Sequence, residues 1–350
     1  MVAAAWNWFG RSCYLKLDSE TLAPSALVPP ANSDMDLSII YVNWNSVGYL
    51  RESIASVLEH TKGISFEIIV VDNASPQGGV QSLTQEFPIK LIESPTNLGF
   101  AGANNLGVRE STGKYLLLLN PDTKLTEPAI NVMLAQAENL PDLGIVGCKL
   151  LNTDLSPQLT SIQKFPTILN QLLDVEYFQL RWPESSLWDI GPLFHEASAP
   201  LKVDVISGAC ILISRKVFEQ VGLYSEDYFM YAEDIDLNYE VKRAGFSNYY
   251  IGTTSIIHHG GKSSSLQPAN HWSTVMKYRA MNQLFCKMGG PLYGLGYRTA
   301  IGCSAIARLG MLMAAKLTGD RIVDRKRLAQ IVGKWQMILS WSVGAKQVDR

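Results

Sequence analysis

The feature that most constrains this chain is an alternation that begins at Asp36. LSIIYV (Leu37–Val42) and FEIIVVD (Phe66–Asp72) are short runs rich in β-branched residues, and a helical pattern near Val47–Glu59 lies between them. Strand, helix, strand is the pattern of parallel pairing, because a parallel neighbour needs a crossover that returns the chain to the same end of the sheet. The alternation continues with a helix near Val80–Phe87, a strand at Ile89–Ile92, a helix over Gly102–Glu110 and the very apolar strand YLLLLN (Tyr115–Asn120). The first half therefore reads as a doubly wound α/β unit with a mostly parallel sheet. Ligands of such sheets bind beyond the carboxyl ends of the strands. Polar residues stand at those ends here: Asn43 and Asn45, Asp72 and Asn73, Asn120 and Asp122.

Beyond Pro128 the pattern gives a helix to about Asn139 and a strand near Ile145–Leu150. A less regular stretch, Asn152–Pro200, reads as loops and short helices over a cleft. Regularity returns in DVISGACILIS (Asp204–Ser214), a strand pattern interrupted at Ser207–Gly208, then a short helix at Lys216–Val221 and the acidic segment EDYFMYAEDID (Glu226–Asp236). Residues 1–34 lack periodicity, end in a Pro-rich stretch and read as a flexible arm; MVAAAWNWFGR has no basic residues before it and does not read as an export signal. The expected division is an arm over 1–34, an α/β domain over 35–275 and a basic helical extension over 276–350.

Charge separates the ends of the chain. From Lys277 to Arg350 there are 13 Lys/Arg against three Asp/Glu, so this tail carries +10 within a chain of net −2. Either an anionic partner, a phospholipid surface or nucleic acid, or an ordinary solvated face explains such a tail. Hydrophobic residues at 47% with 18% charged exclude a disordered chain. The longest run without Asp, Glu, Lys or Arg, Ala244–Gly261, holds four glycines and two histidines and does not read as a membrane span. Five cysteines without a CxxC pair suit neither a disulfide framework nor a zinc site, which points to a reducing compartment.

Several segments carry chemistry, each with a plainer alternative. In NPDT (Asn120–Thr123), Asp122 is either a ligand for a hard divalent ion shared with substrate phosphates or a turn residue hydrogen-bonding its own backbone. Asp72 is either an acceptor for a ribose or base or an Asx-turn residue. The absence of GxGxxG and GxxxxGK[ST] removes the dinucleotide and P-loop readings. In AEDIDLNYEVKRAGF, Glu233, Asp234 and Asp236 crowd a helix start. They either complement its dipole or include a general base whose proton affinity its neighbours raise. His258 and His259, before Gly260, Gly261, Lys262 and Ser263–Ser265, are metal or phosphate contacts or structural residues.

Taken together, IIYVNWN, IIVVDNAS, NLGFAGANNLGVRESTGKYLLLLNPDT, SGACILISRKVFEQVGLYSEDYFMYAEDIDLNYEVKRAGF and IIHHGGKSS resemble, in order and spacing, the nucleotide-sugar glycosyltransferases of family 2. The resemblance is to the branch that holds bacterial rhamnosyltransferases, and it covers about Leu37–Ser265. It implies the GT-A fold, with nucleotide- and acceptor-binding halves, and an inverting, metal-assisted transfer. It places Val42 and Trp44 against the nucleobase, Asp72 on base or ribose, Asn97, Gly99 and Phe100 on the donor side, and Asn120 with the diphosphate. Asp122 and His258 would hold Mg2+ or Mn2+, with asparagine in place of the first acid of the family's DxD motif. Ser207, Gly208 and Ala209 would lie near the donor sugar and acceptor. Asp234 would be the base, with Glu233 beside it and Asp236 in support.

The expected activity is transfer of a hexose, with rhamnose the named candidate, from a UDP- or dTDP-sugar. The acceptor would be a glycan or a polyprenyl-diphosphate-linked glycan in cell-surface polysaccharide synthesis, with no nucleic acid involved. A sugar nucleotidyltransferase and a non-catalytic carbohydrate-binding or assembly protein are the alternatives. A helix over Tyr297–Leu317 would set Arg298, Arg308 and Lys316 opposite Ala300, Cys303, Ala307, Met311 and Ala314. That pattern suits a cytoplasmic enzyme lying peripherally on the inner face of the membrane, or a helix packed on the catalytic domain.

Overall fold

A computed structural model describes residues 34–196, 199–260, 272–317 and 325–344. Apart from Asp34, the expected N-terminal arm lies outside the described residues, as do Lys262 and Ser263–Ser265. In chain order the elements are β1 (Leu37–Asn43), α1 (Val47–His60), β2 (Phe66–Asp72), α2 (Leu83–Glu86), β3 (Ile89–Glu93), α3 (Gly99–Arg109), β4 (Tyr115–Leu119), β5 (Thr123–Lys124), α4 (Ala129–Ala137), β6 (Leu143–Leu151) and β7 (Ile162–Gln163). There follow α5 (Ile168–Leu172), α6 (Glu176–Arg181), β8 (Leu201–Val203), β9 (Val205–Ile206), β10 (Cys210–Ser214), α7 (Arg215–Gln220), α8 (Glu233–Arg243), β11 (Ser247–His258), α9 (Trp272–Leu317) and α10 (Arg325–Ser342).

The main sheet runs β3-β2-β1-β4-β10-β6-β11-β5, with β8 added beside β11. Its first four strands are parallel, as the alternation predicts. Register puts Asn43 opposite Asp72, so the polar residues ending β1 and β2 stand side by side. All five residues of β4 are buried, which explains a strand that is apolar on both faces. Each such leucine contributes roughly 1.5–3 kcal/mol by leaving water, so a charge at Leu117 would break this layer.

Strand β10 lies antiparallel between β4 and β6. Cys210 pairs with Leu119, so the start of β10 meets the end of β4. The expected interruption at Ser207–Gly208 is thereby set beside Asn120. Similarly β11 ends against β5, where His258 pairs with Thr123, the residue after Asp122. These two pairings deliver later segments to the carboxyl edge of the first four strands.

The described residues fall into two compact units. One holds the sheet. The other joins Pro166–Asp174, with α5, to the C-terminal helices α9 and α10. Helix α9 is broken at Gly290, whose φ is 80°, immediately before Pro291. Proline offers no N–H to the helix ladder, and glycine adopts the positive φ without a Cβ penalty. Within this unit Phe285 stacks on Tyr297 at 4.4 Å.

One expectation is corrected here. Arg298 is 6% exposed and does not join a surface arc with Arg308 and Lys316; its guanidinium donates to the Trp341 and Ser342 carbonyl oxygens at 2.7 and 2.8 Å. It caps the end of α10, where orphan carbonyls and the helix dipole favour a cation, and the pairing spans more than 40 positions of sequence. The Lys316 side chain lies outside the described residues. Among the described residues, Cys148, Cys210 and Cys303 are free thiols. Among the described residues, no helix is long and apolar enough to cross a membrane.

Candidate active site

Four clusters meet the carboxyl edge of the sheet. At the ends of β1 and β2, Asp72 is 6% exposed and fully engaged. Its Oδ1 accepts from Asn43 Nδ2 at 2.7 Å and Ser75 Oγ at 2.6 Å, and its Oδ2 accepts from the Ser75 N–H at 3.1 Å. Asn43 Oδ1 accepts from the backbone and hydroxyl of Ser46, which closes the network onto the start of α1. Val42 and Trp44 flank it half-buried. Non-glycine positive φ angles at Asn45 (55°) and Ala74 (56°) bend the chain sharply just past both strands.

The NLGF turn is the second cluster. Asn97 Oδ1 accepts from the Gly99 N–H at 2.9 Å and from Asn73 Nδ2 at 3.0 Å, so Asn97 shapes the turn itself. Gly99 has φ 74°, and a Cβ there would overlap the Phe229 carbonyl oxygen. The Phe100 N–H donates to that same oxygen at 3.0 Å. Helix α3 extends this grip: Asn105 exchanges hydrogen bonds with the Tyr224 backbone, and Arg109 pairs with Glu226 at 3.2 Å. The turn is thus tied to the segment that leads into α8.

The third cluster joins Asn120, Asp122 and His258. Gln158 Nε2 donates to the His258 carbonyl oxygen at 2.6 Å, which aims Gln158 Oε1 at His258 Nδ1, 2.9 Å away. This pairing fixes the ring and turns Nε2 toward the Asn120–Asp122 turn. His258 Nε2 faces Asp122 Oδ1 at 3.3 Å and Asn120 Nδ2 at 3.4 Å. Two electron-rich atoms this close call for a proton or a cation. Adjacent ligands of an octahedral ion with bonds of roughly 2.1 Å lie about 3 Å apart, so the pair suits a shared divalent ion. Asn120 Oδ1 is buried with no hydrogen-bond partner and is a further oxygen donor at this point. Burial pushes the Asp122 carboxyl upward, but the hydrogen bond and charge of His258 outweigh it and hold it below the ordinary carboxylate range. Among the described residues no group of three or more His, Cys, Asp or Glu side chains gathers as a metal cage. The donor set is open, as a site completed by substrate phosphates requires.

The fourth cluster is the start of α8. Asp234 Oδ2 accepts from the Gly208 N–H at 2.9 Å, and its Oδ1 accepts from the Ile235 N–H at 2.8 Å. A Cβ on residue 208 would sit 2.9 Å from the Asp234 Cβ, so only glycine permits this approach. Next to Gly208, the Ala209 carbonyl oxygen accepts from the Asn120 N–H at 3.0 Å. A continuous path of bonds therefore links Asp234 through Gly208 and Ala209 to Asn120. Ser207 lies at the same turn, with its N–H on the Ser161 carbonyl.

Glu233 differs from its neighbour. It is 7% exposed, and its Oε2 is buried without a partner. Burial first, then the charge of Asp234, pushes its carboxyl up to about 8. The Tyr224 hydroxyl is likewise buried without a partner, and burial with the charges of Asp234 and Glu233 drives it well above the ordinary phenol range. Two successive positive φ angles, 72° at Tyr231 and 64° at Ala232, set the entry to this helix. Asp236, expected beside the sugar and in support of Asp234, is 2% exposed and accepts from the Tyr228 hydroxyl at 3.4 Å.

Sequence reasoning missed Gln158, Ser75, Tyr224 and the Phe229 carbonyl. Ser75 had a local signal, a serine three positions after an aspartate in DNAS. Gln158 had none, since it lies 100 positions from the histidine it orients.

Residues 38–222 match the family description "Glycosyl transferase family 2". The chain belongs to that family. It is 26% identical over 247 residues to an N-acetylglucosaminyl-diphospho-decaprenol L-rhamnosyltransferase of Mycobacterium tuberculosis, covering 67% of this chain and 80% of the relative. It is 31% identical over 230 residues to the low-salt glycan biosynthesis hexosyltransferase Agl10 of Haloferax volcanii, covering 63% of this chain and 66% of the relative. Among solved structures, the mannosyltransferase PcManGT from Pyrobaculum calidifontis, in complex with GDP-Man and Mn2+, superposes with a TM-score of 0.55 at 17% identity, covering 98% of this chain and 95% of that one. The fold is GT-A, and the enzyme is a nucleotide-sugar-dependent family 2 glycosyltransferase.

Proposed function

We propose that this family 2 enzyme moves a hexosyl residue, with rhamnose the leading candidate, from a UDP- or dTDP-sugar to a glycan or polyprenyl-diphosphate-linked glycan, with inversion. The observation that carries the reading is the bonded path from Asp234 through Gly208 and Ala209 to Asn120, which fixes a carboxylate relative to the Asn120–Asp122–His258 donor set. Asp72 with Asn43 and Ser75 offers acceptor oxygens for the nucleoside. Asp122, His258 Nε2 and Asn120 Oδ1 would hold Mg2+ or Mn2+. When bound, that ion supplies positive charge to the departing nucleoside diphosphate.

Asp234 takes the proton of the acceptor hydroxyl as that oxygen attacks the anomeric carbon. Gly208 steadies one carboxylate oxygen and the helix start stabilises the charge, so the base is oriented before substrate arrives. Glu233, its carboxyl pushed up to about 8 by burial and the charge of Asp234, favours placing the negative charge of the pair on Asp234. A single displacement inverts the anomeric centre.

Peripheral membrane association belongs to the same proposal. In the tail of charge +10, Leu292 (82%), Ile306 (59%), Met311 (63%) and Met313 (68%) are exposed on α9, which suits an anionic leaflet. The test is to incubate wild type and Asp234→Asn with mixed nucleotide sugars, divalent metal and a membrane lipid extract, and to follow products by mass spectrometry. Wild-type release of a nucleoside diphosphate, lost in the variant, is expected and names the donor. Pyrophosphate release would assign a nucleotidyltransferase instead, and absence of both consumption and nucleotide binding would overturn the reading.

A further inference from the structure

The C-terminal unit contains a cavity of about 190 Å³ lined by none of the residues assigned above to the transfer reaction. It lies between α9, α10 and the segment that holds α5, and Lys277, Arg308 and Lys334 converge on its wall. None of the three makes an ion pair among the described residues, and the wall holds a single acid, Asp174. Like charges gathered this way oppose one another. Partial desolvation, then the charges of Lys277 and Arg308, pull the Lys334 ammonium below its ordinary range.

The cluster is also oriented. The Arg308 guanidinium lies over the Trp335 ring at 4.5 Å and donates through Nε to Ser304 Oγ at 3.3 Å. This pins its plane and leaves the rest of the fork free to donate. The volume is below the roughly 300–1,000 Å³ of pockets for drug-sized ligands, so the occupant is a small, strongly anionic group. A planar fork beside two ammonium groups matches the tetrahedral oxygens of phosphate better than a lone carboxylate.

We infer that this cavity is a phosphate-binding site, which takes a phosphate or diphosphate group borne by a lipid or free in solution. The inference is independent of which sugar is transferred. The test uses the full chain in the presence of a chelator, so that divalent ions do not recruit the probe elsewhere. Inorganic pyrophosphate is titrated at constant ionic strength into wild type, Lys277→Ala/Lys334→Ala, and a charge-matched control of two exposed lysines outside the cavity, Lys216→Ala/Lys287→Ala, with melting temperature as readout.

The cavity variant is expected to bind at least tenfold more weakly than wild type, with the control unchanged. Flotation with phosphatidylcholine vesicles, with and without phosphatidic acid, then identifies the source. Cavity-dependent vesicle binding assigns a lipid phosphate, and cavity-dependent binding of pyrophosphate alone assigns a soluble one. No response of wild type to either probe, or equal responses in cavity and control variants, overturns the site. Both lysines changed are exposed, so the variants should melt like wild type without ligand.

Discussion

The proposed nucleotide side, at the ends of β1 and β2, and the proposed base side, at the start of α8, treat buried carboxylates in opposite ways. Asp72 is surrounded by donors, all supplied by residues of the two strand ends and their turns. Glu233 is equally buried but keeps one oxygen unpaired, beside the unpaired Tyr224 hydroxyl and behind two strained backbone residues. A satisfied network favours one rigid geometry, whereas unpaired buried groups are retained at a cost in stability. The difference teaches that the ends of β1 and β2 form a satisfied scaffold, while the start of α8 keeps a buried acid unpaired beside Asp234, the base proposed above.

The largest break in this contrast is expected from Asp234→Asn. Loss of a general base should lower kcat/KM by about 10³-fold with little change in melting temperature, measured by nucleoside diphosphate release. A large melting shift would instead make Asp234 a structural cap.

Glu233→Gln probes the unpaired acid itself. Because the folded carboxyl is raised above its unfolded value, the folded state holds more protons, and wild-type stability should fall as pH rises from about 4.5 to about 8. The variant should lack this loss and be more stable at pH 9 by a few kcal/mol, at most about 5. Urea unfolding at pH 5, 7 and 9 checks it, and parallel curves would contradict the assignment.

Gly99→Ala tests the joint between the two sides. A positive φ together with overlap on the Phe229 carbonyl should cost about 2–3 kcal/mol, compared with about 1 kcal/mol for Gly78→Ala, where φ is 61° but the space is open. Thermal unfolding of both variants makes the comparison. If they match, contact between the turn and the segment before α8 contributes nothing.

Gln158→Leu frees the ring of His258. Divalent-ion affinity in the presence of nucleotide should fall about 10–100-fold, read by titration, while melting without metal moves little. Asp72→Asn should have the smallest effect, about 1–2 kcal/mol of stability, since it turns one acceptor toward donors into an amide. Its donor KM should rise with kcat retained; a fall in kcat alone would place Asp72 in the chemical step.

Much of the nucleotide side was legible because its interactions are local. Period, strand-end polarity and the DNAS and NLGF turns each lie within a few residues, and the structure keeps them together. The base side was legible in its residues but not in its states. AEDID announces a helix start crowded with acids, yet which acid reaches Gly208 and which is buried depends on a strand more than 20 positions away.

By itself, the sequence determined the alternating elements and the polar residues gathered at the carboxyl edge of the sheet, since these follow from periodicity and turn chemistry. Only the tertiary structure decided that β10 runs antiparallel beside β4, that Gln158 holds the ring of His258, that Glu233 is buried and its carboxyl pushed upward, that Arg298 is buried in a cap and that three cations share one cavity. Burial, hydrogen-bond partners and proton affinity are properties of what surrounds a side chain. In this protein those surroundings come largely from distant positions of the chain.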